Sequence, residues 1–470
     1  TVFMAICPAQ IYNARLTVSE MLAQAFFLAA AWLFAVGWKR DERLCLYLSA
    51  GFAAAGSFIR IDNYLLYIPY ALIGIYTALC RPEKTKVMRR CEAIVIIGAV
   101  AAFGYSCMYH IGYIEKHWDG LLQIVFPLAL ILNSVAYLLL LYRSGIKVGK
   151  KKHKAVINPG VLAEVITGRT FLLIMSAVAA IAVTFFLTVH VGIGFEGRAL
   201  LEYSWYVSAL ALYMAIIGTY GFLRLCGQNE SAKKMTDIEA GSLYFFYGIL
   251  SMLLYIARPS ITWDHLWASR RWIVAGIPFV LMMAAAGTIY LWDMGKEAQA
   301  AKGRDYSLVK KVACRSLAIL AGTFITGYMV YQYSPFMSVR LFEGMDKDYE
   351  ALAKMLPDED IILTDKERVA SMLKYVYHKN IYLINGKDAV KDINETEGTP
   401  ESPEGKGDNI RNRNIYLLTD SVSEDEAQPV GDEYMEIGGI YTEGEMIGIY
   451  PHKPEEIEIR LKLYRLMQEK

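Results

Sequence analysis

From Tyr333 to Lys470 the chain has no cysteine; all seven (Cys7, Cys45, Cys80, Cys91, Cys107, Cys226, Cys314) lie before it. That excludes a disulfide framework and a cysteine-based metal site from the last third of the protein. Single cysteines spaced through apolar runs read as small hydrophobes. Charge is scarce in the first two thirds, where long stretches carry none. A Gly-rich phosphate loop is missing after the strand-like "IILTD" (Ile361–Asp365), which argues against a nucleotide site there.

What is present is apolar. Of 470 residues, 55% are hydrophobic and the mean hydropathy is +0.29, which fits a polytopic α-helical membrane protein with an attached polar part. The near-zero net charge of +1 hides a division. From Tyr333 onward there are 17 Lys+Arg against 29 Asp+Glu, whereas residues 1–332 hold 31 against 18. Opposite charge habits imply two environments: a transmembrane domain over 1–332 and an acidic α/β domain over 333–470.

Apolar runs long enough to cross a bilayer as helices fall at about 17–38, 44–59, 63–80, 92–108, 121–142, 170–191, 204–225, 241–257, 272–293 and 312–331. The expectation is therefore about ten spans, the second and third separated by "RID" (Arg60–Asp62). Loops 39–43, 81–91, 143–169, 226–240 and 294–311 then share one side and carry 22 Lys+Arg; the other side carries seven. The positive-inside rule puts the first set in the cytoplasm of a plasma-membrane protein and the acidic domain outside. "KVGKKKHK" (Lys147–Lys154) is read as a topology anchor facing the lipid bilayer, not as a nucleic-acid site. Thr1 begins in mid-hydrophobic run, so the natural N-terminus is expected to lie upstream.

The acidic domain alternates helix-like and strand-like segments. "MDKDYEALAKML" and "KERVASMLKYVYH" read as helices, and "IILTD", "NIYLIN" (Asn380–Asn385) and "NIYLLTD" (Asn414–Asp420) as strands. Further strands are expected in "YMEIGGIY" and "EMIGIYP", and a closing helix in "EEIEIRLKLYRLM". This order predicts a small parallel or mixed sheet. Asn394-Glu395-Thr396 is a glycosylation sequon.

Polar clusters gather on the predicted outer side. Asn13, Arg15 and Glu20 precede the first span; Arg60 and Asp62 separate the next two. His110, Glu115, His117 and Asp119 form another group, and His190, Glu196, Arg198, Glu202 and Tyr203 a fourth. The richest is "ARPSITWDHLWASRRW", with Arg258, Asp264, His265, Arg270 and Arg271 among Trp263, Trp267 and Trp272. Arginine forks suit phosphate oxygens, interfacial tryptophans hold a loop at headgroup depth, and Asp264 with His265 could move a proton or ligate a metal. The plainer reading is that Arg270 and Arg271 end a helix and snorkel. Glu20 in the first turn suits the helix dipole, but it enters apolar surroundings and needs a cation such as Arg15, Arg60 or a loop arginine.

"PAQIYNARLTVSEMLAQAFFLAAAWLF", "GFAAAGSFIRIDNYLLYIPYALIGIY" and "LWASRRWIVAGIPFVLMMAAAG" resemble segments of the C-type-fold, polyprenyl-phosphate-dependent membrane glycosyltransferases. The protein O-mannosyltransferases and lipid A aminoarabinose transferases are the relatives in point. The resemblance implies inverting transfer of a sugar from a polyprenyl-phosphate donor to an extracytoplasmic glycan, lipid or protein acceptor. It also implies a catalytic Asp in a first outer loop, which would precede Thr1. Arg15 and Glu20 match the family segment, and Arg270 and Arg271 a phosphate-binding region. Arg60, Asp62, Asp264 and His265 join the candidate substrate-binding set by position alone. A divalent cation could share the phosphate's charge, although no ligand pattern demands one. The rivals are a flippase or transporter of polyprenyl-linked glycans, a glycan polymerase or ligase, and a membrane-anchored assembly protein. A transporter would require charge in mid-helix.

Overall fold

In a computed structural model of the chain, the described residues are 2–15, 19–118, 122–145, 168–188, 199–228, 231–257, 269–297, 304–334, 344–356, 358, 360–384, 415–419, 427–429, 435–441 and 455–466. They fall into two compact units, one over Thr1–Ser334 and one over Pro335–Gly444 with Lys453–Lys470.

The first unit is helical. Two short helices, α1 (Val2–Ile6) and α2 (Pro8–Ala14), precede α3 (Ser19–Arg40) and α4 (Arg43–Ile59). A 3₁₀ turn (Ile61–Leu66) leads into α5 (Tyr67–Cys80), followed by α6 (Thr85–Tyr109), α7 (Ile111–His117), α8 (Gln123–Gly145) and α9 (Arg169–Thr188). The unit continues through α10 (Ala199–Val207), α11 (Ala209–Gln228), α12 (Ser231–Ala257), α13 (Arg270–Ile273), α14 (Gly276–Glu297) and α15 (Arg304–Tyr333).

Seven of these stretches are long and apolar enough to cross a membrane, or eight if α10 and α11 count as one broken span. This is fewer than the ten expected. The run at 44–59 is the shorter helix α4, and α15 opens on Arg304, Asp305, Lys310, Lys311 and Arg315. The run at 204–225 is not straight: its two helices meet at 88°. Ser208 sits between them in the left-handed region (φ 75°), and its hydroxyl accepts the Ala211 amide at 3.1 Å, capping α11. The multi-pass membrane class stands on the exposed apolar surface as well. Along α9, Phe171, Leu173, Ile174, Met175, Val178 and Ile181 are all exposed. In water such a helix would not persist; in lipid it is at rest.

Aromatic packing fills the interior. Phe34 stacks on Trp38 and meets the edge of Tyr70, Phe103 stacks on Phe126, and Tyr203 meets Trp272 edge-on. The closest helix pair is α11 with α14. A Cβ added to Gly218 would lie 1.8 Å from the Met283 carbonyl, and one added to Gly287 would lie 2.2 Å from that of Met214. Backbone therefore packs on backbone, the small-residue solution favoured between helices in lipid.

The second unit is a six-stranded mixed sheet with two helices. Its elements are α16 (Met345–Met355), β1 (Ile361–Thr364), α17 (Glu367–Tyr375), β2 (Ile381–Leu383), β3 (Ile415–Thr419), β4 (Ala427–Pro429), β5 (Met435–Tyr441) and β6 (Glu455–Leu466). The order is β2-β1-β3-β6-β4, with β5 also paired to β6. The β1 pairings to β2 and β3 are parallel; all pairings of β6 are antiparallel. Tyr349 and Leu352 from α16 and Val369 and Leu373 from α17 pack with Ile362, Ile381, Leu418, Leu461 and Leu463 of the sheet. Leu363, Leu417 and Tyr464 form a separate cluster.

One expected element is overturned here. "EEIEIRLKLYRLM" is not a closing helix but the strand β6. Ile457, Ile459, Leu461 and Leu463 alternate with Glu458, Arg460 and Lys462, a period of two that a helix would scatter around its circumference. Its first part pairs with β5 and its last part with β3 and β4. The strand expected in "EMIGIYP" and the loop around the Asn394 sequon lie outside the described residues.

Candidate functional site

The end of α4 creates the site. Arg60 leaves the helix with extended backbone (φ −148°, ψ 137°), and the chain re-enters as a 3₁₀ turn carrying Asp62. Asn63 fixes this break: its amide donates to the Gly56 carbonyl at 2.7 Å and its Oδ1 accepts the Tyr247 hydroxyl at 3.3 Å. The side chains of Arg60 and Asp62 are thereby turned together at the same end of the bundle as Glu20, in the first turn of α3.

Arg60 is the centre of the cluster. It donates from Nε and Nη2 to the two oxygens of Asp62 at 2.8 and 2.9 Å, a bidentate fork. Its Nη1 is ion-paired with Glu20 and reaches Ser19 Oγ at 3.3 Å. Tyr255, near the end of α12, donates to Asp62 Oδ2 at 2.9 Å. Arg270 Nε lies 4.0 Å from Glu20 Oε1, and the charge of Arg271 acts on Asp62. Burial opposes the Arg60 cation, but the Asp62 carboxylate, and Glu20 after it, outweigh that and hold its pKa above the usual arginine value. Three guanidinium groups, those of Arg60, Arg270 and Arg271, thus act on the two carboxylates of Glu20 and Asp62 at a partly buried place.

Of the sequence candidates, the structure brings together Glu20, Arg60, Asp62, Arg270 and Arg271. Arg15 donates to the Tyr333 hydroxyl at 3.4 Å, tying α2 to the end of α15. Asp264 and His265 lie outside the described residues. His110 caps α6 with its ring edge-on to Tyr105. Tyr255, Tyr247, Asn63 and Ser19 went unmarked in the sequence. Tyr255 sits in an apolar run with nothing to distinguish it, and only the α12 path brings it to Asp62. Among the described residues no three His, Cys, Asp or Glu side chains come together to hold a metal.

A second ionic cluster occupies the opposite end of α3. Glu239, 5% exposed, accepts from Trp38 Nε1 at 2.8 Å, from Arg81 Nε at 2.7 Å and from the Tyr76 hydroxyl. Lys84 donates to the Trp38 carbonyl at 3.1 Å and to Asp41 at 3.0 Å, and Lys39 pairs with Asp237 at 2.6 Å. Burial disfavours the Arg81 cation, but the bond to Glu239 and its charge raise the pKa above the ordinary value. Glu20 and Trp38 lie 18 residues apart on α3, which separates the two clusters by about 27 Å along the helix, close to a hydrocarbon thickness.

No protein family, curated protein or solved structure matches the chain. The functional reading rests on the two clusters and the membrane-spanning frame that holds them apart.

Proposed function

We propose that the chain is the membrane part of a glycosyltransferase that moves a sugar from a polyprenyl-phosphate donor to an extracytoplasmic acceptor. One observation carries this reading: the guanidinium groups of Arg60, Arg270 and Arg271 gather with Glu20 and Asp62 at one end of the helical bundle. A lipid-linked phosphate bears its charge at that depth, with its prenyl chain among the helices. In the reaction the acceptor hydroxyl oxygen bonds to the anomeric carbon while the carbon–oxygen bond to phosphate breaks, and the hydroxyl proton passes to the departing phosphate. The electron pair stays on the phosphate, and arginines already held by Glu20 and Asp62 stabilise it without reorganising. On this reading the cluster faces the outside of the plasma membrane, as does the acidic second unit, and the Glu239 cluster faces the cytoplasm.

The test is binding of polyprenyl phosphate to the full chain in nanodiscs. Arg270→Ala and Arg271→Ala should each weaken it about tenfold or more, the worth of a charge-assisted hydrogen bond. The variants should insert normally. Equal affinity in the wild type and both variants would remove the cluster from donor binding.

A second reading, movement of a polyprenyl-linked glycan across the membrane, is favoured by one feature: Glu92, a carboxyl buried within α6. Vesicle uptake of the lipid-linked sugar without its cleavage would select that reading.

A further inference from the structure

Glu92 lies about two turns into α6 and roughly five turns before its end. It is fully buried, and among the described residues neither carboxyl oxygen has a hydrogen-bond partner. Its setting is built closely around it. A Cβ at Gly74 of α5 would lie 2.3 Å from Glu92 Oε1 and 3.0 Å from the Cβ of Ala136 on α8. The carboxyl is therefore enclosed where α5, α6 and α8 meet, and Gly74 is the residue that leaves room for it.

Among the described residues, the groups around it offer no counter-charge. From α5 the titratable neighbour is Tyr70, whose hydroxyl is bonded to Ser49 of α4; from α6 itself it is Cys91, which donates to the Leu46 carbonyl at 3.5 Å. From α8 come Ala136 and, one turn earlier, Asn133, whose amide donates to the Tyr67 and Ala129 carbonyls at 2.9 and 2.6 Å. Two cations of α6 and one near the end of α8 are bonded elsewhere. Arg89 donates to Ser144 at 2.7 Å, Arg90 to the Tyr47 hydroxyl at 3.1 Å, and Arg143 to the Ala78 carbonyl at 3.0 Å. An ionised carboxylate here would be stripped of water without a hydrogen bond or a cation to replace it. A neutral acid costs far less in the same place.

We propose that Glu92 is an intramembrane proton-binding site, a neutral carboxylic acid at neutral pH that can release its proton only when α5 and α6 part. The ligand is a proton, and the site opens by separation of the helices that Gly74 allows to touch. It differs from both ionic clusters, where each carboxylate faces an arginine or a lysine, and it does not depend on the glycosyl-transfer reading.

Infrared spectra of the full chain in lipid nanodiscs test this directly. At neutral pH the wild type should show a protonated-carboxyl carbonyl band that is missing from Glu92→Gln, with no accompanying loss of carboxylate bands. Glu92→Gln, which keeps the shape and neutrality of the acid, should fold and melt no lower than the wild type. If the wild-type and variant spectra differ instead in their carboxylate bands, Glu92 is ionised and the proposal fails. A Glu92→Gln protein that unfolds at neutral pH would also overturn it. Independently of any variant, dicyclohexylcarbodiimide, an apolar reagent that consumes protonated carboxyls, should label Glu92 in the wild type, as read by peptide mapping. Labelling should fall as pH rises. Absence of label on Glu92 throughout would count against the site.

Discussion

Arg60, the residue that ends α4, is ion-paired with Glu20 in the first turn of α3. Both are nearly enclosed, at 13% and 4% side-chain exposure. The pair therefore joins two helix ends by charges that have already lost most of their water. Removing one partner of such a pair leaves the other buried and unpaired, which costs more than the pair's net worth. Arg60→Ala takes from Asp62 its bidentate cation and leaves Glu20 with Arg270 at 4.0 Å, and should lower unfolding stability by about 3 kcal/mol, measured by thermal unfolding in detergent. Arg60→Lys keeps the charge but loses the two-pronged contact to Asp62, and should fall between the wild type and Arg60→Ala.

At the other end of α3, Glu239 is satisfied by three donors from two other segments, Trp38 on one side and Tyr76 with Arg81 on the other. Glu239→Ala removes the acceptor for all three and should destabilise by about 3 kcal/mol or more. Trp38→Phe deletes a single donor and leaves the carboxylate two others. It should cost about 1–3 kcal/mol. Comparable losses in the two variants would show that the cluster does not act as a hub.

Glycine-to-alanine changes separate close packing from backbone entropy. At Gly218 and Gly287 the added methyl meets backbone atoms of the facing helix, so α11 and α14 must move apart. Each change should cost about 1–3 kcal/mol or more, in the range of core overpacking. Gly104, within α6, has nothing within 4 Å of the same added atom. Gly104→Ala should instead be neutral or stabilise by roughly 0.5–1 kcal/mol. Thermal midpoints of the three variants in one detergent check this.

The strand identity of β6 predicts an alternating mutational pattern. Leu461 is fully buried among the sheet residues beneath α16 and α17, while its neighbour Arg460 is exposed. Leu461→Ala should cost about 2–5 kcal/mol and Arg460→Ala within about 0.5 kcal/mol. Slow amide exchange across Ile457 to Leu463, lost together in a Leu461→Pro variant, would accompany it. A three-to-four residue periodicity in a scan would contradict the strand.

Much of the membrane-spanning unit was legible because lipid makes span length and apolar content nearly sufficient. Helical spans at Ser19–Arg40, Ile61–Cys80, Pro82–Tyr109, Gln123–Ser144 and Arg169–Thr188 fall where apolar runs were expected. The need of Glu20 for a cation could also be read, since a carboxylate entering an apolar helix demands one. Which cation it takes could not. Arg60 meets Glu20 only because α4 stops at Ile59 and Asn63 folds the break back, a matter of three-dimensional path. The 88° bend at Ser208 was equally hidden, because an apolar run looks the same straight or broken.

Composition and periodicity by themselves determined that this chain is a multi-pass, mostly apolar helical protein followed by an acidic segment, because hydrophobic length and charge distribution are local properties. The alternation in "EEIEIRLKLYRLM" was present in the sequence, but only the tertiary structure decided which strands it joins, because its partners on β3, β4 and β5 are distant in the chain. Likewise, only the packing of α5 and α8 over α6 leaves Glu92 without a hydrogen-bond partner among the described residues. A carboxyl's surroundings depend on residues distant in sequence, and those surroundings set its charge.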